Sequence, residues 1–135
     1  MNDSELKKFA TRYAKAWCSH HPEAVVAFYA KNAVISVNDG APAPIEEVAR
    51  SFMRDFPDMI VTFDKLESHG DLTAFHWTLS GTNIGPGGTG KRVRISGYEL
   101  WKIDNAGFIT ESTGHFDAAE YERQLKGSDQ GISDQ

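Results

Sequence analysis

The sequence predicts an α+β fold in which a cone-shaped, curved antiparallel sheet wraps around helices from the N-terminal end. Three observations lead there. Apolar residues recur mainly at helical spacing before Pro57 and at strand spacing after it. The strand-like runs follow one another with only short Gly/Asn/Asp turns between them, which makes consecutive strands antiparallel neighbours. The longest pairing lies between Thr73 and Ile103, where two alternating runs flank a turn packed with glycine. A long twisted sheet that curls over helices leaves a conical cavity lined by the apolar faces of both layers.

In chain order, Ser4 is the expected N-cap of a first helix. Leu6, Phe9, Ala10, Tyr13 and Trp17 give that helix one apolar face to about Ser19. His20-His21-Pro22 ends it, and Pro22 opens a second, short helix through about Tyr29. Val34–Val37 is a short strand and Asn38-Asp39-Gly40 a turn. Ile45, Val48, Ala49, Phe52, Met53 and Phe56 mark a third helix, stopped by Pro57. Met59 to Leu66 is a strand and Ser68–Asp71 a turn. In the hairpin, Phe75, Trp77 and Leu79 share one face of the first run, with His76 on the other. Val93, Ile95, Glu99, Trp101 and Ile103 share one face of the second run and Tyr98 lies opposite. Asp104–Gly107 turns the chain into a last strand, Phe108 to Phe116, and Asp117 caps a final helix to about Leu125. Residues 1–126 thus form one domain, and 127–135 form a polar tail with the composition of a disordered segment.

The glycine turn contains Gly85, Gly87 and Gly90, spaced as a dinucleotide fingerprint, and Gly85, Gly90 and Lys91 match most of a phosphate loop. Both motifs present backbone N–H groups at the start of a helix. Here Arg92 follows Lys91, and Val93–Ser96 alternate as a strand, so the turn is expected to be a hairpin tip where glycine supplies positive φ.

Bulk properties exclude several classes. The net charge is −5 and the basic residues are scattered, which argues against nucleic acid as a partner. No apolar run approaches membrane-spanning length and the N-terminus is polar, so neither a membrane span nor a signal peptide is expected. A single cysteine, Cys18, cannot form an internal disulfide, in keeping with a cytoplasmic location. The five histidines show no metal-ligand spacing, and no metal or cofactor is expected.

Glu99 is the first candidate for chemistry. Its strand parity sets it among apolar neighbours, where a carboxyl holds its proton more tightly and becomes useful for proton transfer. The alternative is an edge residue, or a structural pair with a cation such as Arg94 or Lys102. His115, near the end of the last strand, either approaches the pocket mouth or bonds local backbone. Tyr13, Trp17, Phe52, Phe56 and Trp77 are core residues first, and pocket walls if the cone stays open. Asp117 is expected to be a helix cap and Asp58 a turn acid.

Three patterns together resemble the SnoaL-like polyketide cyclase family of the nuclear transport factor 2-like superfamily. They are Trp77-Thr78-Leu79-Ser80-Gly81-Thr82, then Thr89 to Leu100 (T-G-K-R-V-R-I-S-G-Y-E-L), then Gly107–Glu111 with Asp117 to Leu125. The similarity covers nearly the whole chain before the tail. It implies the cone fold, a homodimer through the outer sheet face, and no cofactor. In the family's cyclases an aspartate late in the last strand is the acid–base group, and that position here is Gly114. The family's histidine after G-T aligns with Asn83, and a polar cavity residue aligns with Glu99. Sequence and resemblance together imply a small, mostly apolar ligand. The first expectation is a cofactor-independent isomerase, cyclase or dehydratase with Glu99 and His115 as catalytic residues. Tyr13, Trp17, Phe52, Phe56, Trp77, Asn83 and Tyr98 would contact the substrate. The second is a non-catalytic binding or dimerisation module whose acid–base aspartate is replaced by Gly114.

Overall fold

The computed structural model describes residues 1–127. The expected tail, from 128 onward, lies outside the described residues. Gly127 is the left-handed cap that ends the last helix, at φ 63°. Four helices and six strands follow the order α1 (Asp3–Cys18), α2 (Pro22–Val26), β1 (Val34–Val37), β2 (Ala43–Pro44), α3 (Ile45–Asp55), β3 (Ile60–His69), β4 (Leu72–Thr82), β5 (Arg92–Ile103), β6 (Ile109–Phe116), α4 (Ala118–Lys126). One sheet, ordered β2-β1-β6-β5-β4-β3, packs its inner face against α1 and α3.

Helix α1 starts two residues earlier than Ser4 as N-cap would allow. Asn2 is the cap: its side chain accepts from the Glu5 N–H at 2.8 Å, and Glu5 accepts from the Asn2 N–H at 3.0 Å. This reciprocal box satisfies two donors that a cap at Ser4 would have left open. Phe9, Ala10, Tyr13, Ala14 and Trp17 form its buried stripe. Helix α2 stops at Val26, short of Tyr29, because the start of β6 captures the backbone there. Ile109 N–H donates to the Phe28 carbonyl at 2.9 Å, and Ala30 N–H to the Ile109 carbonyl at 2.8 Å.

The four long strands form an antiparallel meander, as alternation and turn spacing predict. Strand β3 runs to His69, three residues past Leu66, since Glu67, Ser68 and His69 keep pairing with β4. The turn shrinks to Gly70-Asp71, with Gly70 at φ 65°. Two features break the simple picture. Strand β1 joins the sheet parallel to β6, and β2 is a two-residue edge strand ending in Pro44, a position where a missing N–H costs no ladder bond. Local periodicity carries no signal for either, because both depend on which distant strand lies alongside.

The glycine turn is a hairpin tip fastened to the end of α3. Gly87 and Gly90 have φ 75° and 77°. Gly85 donates to the Asp55 carbonyl at 3.3 Å and passes so close to the Arg54 carbonyl that a Cβ could not fit. A strand, not a helix, follows, so the context that nucleotide motifs require is missing. Asp58 holds the base of this tip: it accepts from the Thr82 N–H and hydroxyl at 2.7 and 2.8 Å and from Arg92 at 3.2 Å. The Thr82 N–H, above all, holds its carboxyl below the usual range.

Helix α4 covers an open edge. Strand β6 pairs with β5 only from Gly97 onward, which leaves the first half of β5 without a neighbour on that side. The Gln124 amide takes the place of a strand there, accepting from the Arg94 N–H at 2.6 Å and donating to the Arg94 carbonyl at 3.0 Å. Asp117 caps the helix through the Glu120 N–H at 3.0 Å, while the Glu120 carboxylate turns to Arg123 and Gln124 instead of reaching back. Replacing Gln124 by Ala removes both bonds at a water-exposed edge. The expected loss is about 1 kcal/mol of unfolding free energy, read as a lower urea midpoint at unchanged slope; an unchanged midpoint would show that water substitutes fully.

Candidate functional site: a buried carboxyl in an apolar cavity

The sheet's concave face and the two long N-terminal helices line a half-open cavity of about 50 Å³. Helix α1 contributes Trp17, and α3 contributes Val48 and Phe52. Strand β4 supplies Phe75, Trp77 and Leu79, which the alternation groups on one face. Strand β5 supplies Ile95 and Glu99, and β6 supplies Gly114 and Phe116. Ile35 and Val37 of β1 and Val61 of β3 complete the wall. Glu99 is the one ionisable side chain among these lining residues. Trp77 carries the one buried side-chain polar atom, its indole Nε1, that lacks a partner among the described residues.

Glu99 is 7% exposed. Its two carboxyl oxygens differ sharply. Oε1 accepts from the Tyr13 hydroxyl at 2.9 Å and from the Trp101 indole N–H at 2.7 Å, with the Ser112 hydroxyl at 3.5 Å. The Tyr13 hydroxyl in turn lies 2.8 Å from that of Tyr29. Oε2 accepts no hydrogen bond from any of the described residues, and Glu99 lines the cavity. Arg94 and Lys102, the cations that would have made Glu99 a structural ion pair, are exposed on the opposite face. Burial therefore raises the carboxyl's affinity for its proton, against the opposing pull of the Trp101, Tyr13 and Ser112 donors. Burial also pushes both tyrosines well above their ordinary range, with Glu99 adding to the effect, so they remain phenols that donate.

This proton affinity has a consequence for stability. Folded Glu99 keeps its proton to higher pH than the unfolded chain does, so its contribution is fully present below its ordinary value of 4.5. That contribution is lost as pH rises from there through the raised folded value. Wild type should lose stability relative to Glu99→Gln across this window in urea titrations at a series of pH values. Parallel curves for the two proteins would refute it.

The structure gathers some of the expected site residues and separates others. Trp17, Phe52, Trp77 and Glu99 share the cavity, and Tyr13 stands directly behind the carboxyl. His115 and Tyr98 do not join them, and this corrects their assignment beside Glu99. The β5–β6 register pairs Glu99 with Gly114 and Tyr98 with His115, so the second pair projects from the outer face. There the two rings stack at 4.9 Å, His115 Nε2 lies 3.2 Å from the Thr113 hydroxyl, and His76 Nε2 lies 2.6 Å from Glu67. Phe56 is fully buried but packs toward Tyr121 under α4, away from the cavity wall. Asn83 also lies outside the wall and fixes the hairpin tip, donating to the Asp55 carbonyl at 3.1 Å and accepting from the Thr89 N–H at 2.8 Å.

Trp101, Tyr29 and Ser112 are the partners that sequence reasoning missed. Trp101 was within reach of it: two residues beyond Glu99 on one strand, it shares the same face. Ser112 shares the parity of Gly114 on β6. Tyr29 carries no such signal, because its place follows from the early end of α2 and the bridge to Ile109. Among the described residues no group of three or more His, Cys, Asp or Glu is placed to hold a metal ion, and no helix is long and apolar enough to cross a membrane.

A curved six-stranded sheet closed over N-terminal helices is the fold of the nuclear transport factor 2-like class, also called ketosteroid isomerase-like. Within that class the chain belongs to the SnoaL-like polyketide cyclase family, whose family model matches residues 7–125. Solved structures agree on the fold. TsrD from Streptomyces laurentii is 17% identical with a TM-score of 0.76, over 93% of this chain and 97% of that one. IdmH from Streptomyces antibioticus is 24% identical with a TM-score of 0.68, over 89% and 96%. A protein of Catenulispora acidiphila with a ketosteroid isomerase-like fold is 18% identical with a TM-score of 0.72, over 85% and 89%. No protein of curated function matches the sequence.

Proposed function

We propose that this protein is a cofactor-independent acid–base catalyst of the isomerase, cyclase or dehydratase type. It acts on a small, mostly apolar carbonyl compound with Glu99 as the proton-transfer group. The observation that carries the proposal is the division of labour between the carboxyl oxygens of this cavity-lining residue: Oε1 is fixed by Tyr13 and Trp101, and Oε2 has no hydrogen-bond partner among the described residues. A neutral carboxyl so held gives its Oε2 proton to the carbonyl oxygen. The carboxylate formed, stabilised at Oε1 by the two donors, then takes a proton from the adjacent carbon. The product is the enol, and the carboxyl is restored. Returning the proton to another carbon isomerises the substrate; attack by the enol on a second carbonyl closes a ring. The test is exchange of ketone α-hydrogens for deuterium in heavy water, followed by NMR. Exchange no faster than in buffer alone ends the catalytic proposal.

A second proposal, a non-catalytic binding module, draws on one specific observation. Glu99 faces Gly114 across the β5–β6 pair, and the cavity wall holds no second titratable group to share the chemistry. The same exchange experiment separates the two. We also propose a homodimer through the outer sheet face, where Tyr98, His115 and Leu100 are only half-buried by their neighbours, within a single domain spanning 1–126 and in the cytoplasm. Sedimentation equilibrium that returns only the 14.9 kDa monomer at micromolar concentration would reject the dimer.

A further inference from the structure

We infer that this cavity selects neutral, apolar ligands bearing a single acceptor oxygen, which seats on Glu99 Oε2 in the notch left by Gly114, and that it rejects anions. The inference rests on the proposal that Glu99 is the working group of the cavity, and it adds which ligands that group admits. Three features of the site lead to it.

The first is the direction of the donors. Tyr13, Trp101 and Ser112 all approach Oε1, so the carbonyl-like oxygen of a neutral carboxyl belongs there and its O–H belongs on Oε2. The group offered to the cavity is therefore a hydrogen-bond donor, and its complement is an acceptor oxygen. The second is the notch. Gly114 stands opposite Glu99 in the register, and a Cβ there would lie 3.9 Å from both Glu99 Cγ and Ile35 Cδ1. These are ordinary contacts, so the backbone does not require glycine at this point. What the missing side chain leaves is space beside the carboxyl. The third is charge. The remaining wall is aromatic and aliphatic, so an anionic ligand would be buried with no cation to compensate it. One ionisable group beside one notch, in a wall whose other unpartnered polar atom, the Trp77 indole N–H, is itself buried, specifies one oxygen on an apolar body.

Recognition should then depend on pH. Titratable groups facing Glu99 are Tyr13 from α1 and Tyr29 from the segment after α2; β4, β6 and β1 present Phe75, Ser112, Gly114 and Ile35, none of which titrates in the accessible range. Loss of the Oε2 proton is thus the one protonation change beside the notch. It turns a donor into a buried anion that repels an acceptor oxygen.

The test uses three probes of similar size: acetophenone, ethylbenzene and benzenesulfonate. Binding to the full chain is followed by the NMR signals of the Trp17 and Trp77 indoles, which line the cavity. At or below pH 4.5, the ordinary value of the carboxyl, acetophenone should bind roughly tenfold more tightly than ethylbenzene, the worth of one hydrogen bond, and benzenesulfonate should not bind. The ketone preference should fade as pH is raised. In Glu99→Gln, whose amide still donates but cannot ionise, the preference should persist at every pH. Gly114→Ala should weaken acetophenone binding, and Gly114→Val should abolish it at an unchanged circular dichroism spectrum; should the valine variant unfold, the alanine variant decides the point. Equal affinity for ketone and hydrocarbon, binding of the sulfonate, a wild-type preference indifferent to pH, unaltered binding in Gly114→Ala, or no indole shift with any probe would each overturn the inference. Deuterium exchange is scored separately. Selective binding without exchange removes the catalytic proposal and keeps the selectivity, whereas exchange without ketone preference does the reverse.

Discussion

Glu99→Gln is expected to slow α-hydrogen exchange by a factor on the order of 10³, within the range a positioned general acid–base group contributes. The fold should survive. The glutamine carbonyl can occupy the place of Oε1 and accept from Tyr13 and Trp101, so the buried donors keep their acceptor. The amide offers no transferable proton at the position of Oε2. The same substitution thus leaves ligand recognition in place and removes proton transfer, which makes it more informative than Glu99→Ala, where two buried donors would be orphaned. Rates measured across pH sharpen the result. Since burial raises the carboxyl's proton affinity, the neutral form that begins the reaction persists above the ordinary carboxylate range, and activity should decline as pH rises through the folded value. Wild-type exchange equal to that of the glutamine variant would sink the role assigned to Glu99.

Gly97→Ala is expected to cost about 3 kcal/mol or more, among the largest losses for a single methyl in this protein. Gly97 lies on β5 between Trp77 of β4 and Phe116 of β6. A Cβ there would collide with the His115 backbone carbonyl and come within 2.7 Å of the Trp77 ring at Cζ2. Neither can yield easily: the carbonyl belongs to the adjoining strand, and the indole is packed edge-on against Phe116 at 6.0 Å. Because Trp77 is a cavity wall, any accommodation would also narrow the site. Thermal unfolding of the variant should fall by about 10 °C, while Gly114→Ala, whose Cβ meets only ordinary contacts on the next strand, should change little. Similar midpoints for the two variants would contradict this account of the sheet.

The contrast between Gly97 and Gly114 shows the limit of reading a chain by its residue types. Both are strand glycines in similar surroundings of the sequence. One is required by close backbone approach, and the other opens a notch beside the carboxyl. Nothing local to either distinguishes them. The positions of His115 and Tyr98 make the same point. The alternation that sets Glu99 inward already sets Tyr98 outward, but for His115 the face depends on the β5–β6 pairing, where a slip of one residue would exchange it with Gly114. Asn83 illustrates a third case: expected against the substrate, it instead fastens the hairpin tip to the carbonyl of Asp55.

By itself the sequence determined the layers and which residues share a face. Period-two alternation grouped Phe75, Trp77 and Leu79 on one face of β4 and Glu99 with Trp101 on one face of β5, helical spacing put Trp17 and Phe52 on the apolar sides of their helices, and the short Gly/Asn/Asp turns made the long strands antiparallel. These are consequences of backbone geometry within a few residues, so they can be read from any single stretch of chain. Which strand face lines the cavity was decided by the packing. Tertiary structure alone decided what meets the carboxyl. Tyr13 lies 86 residues from Glu99 along the chain. Its hydroxyl, the Trp101 indole and Ser112 converge on one oxygen only after α1 packs on the sheet and β6 takes its register. The parallel addition of β1 and the capture of Tyr29 beside Ile109 were settled in the same way. Register and packing are minima of the whole chain's contacts, and no local pattern contains them.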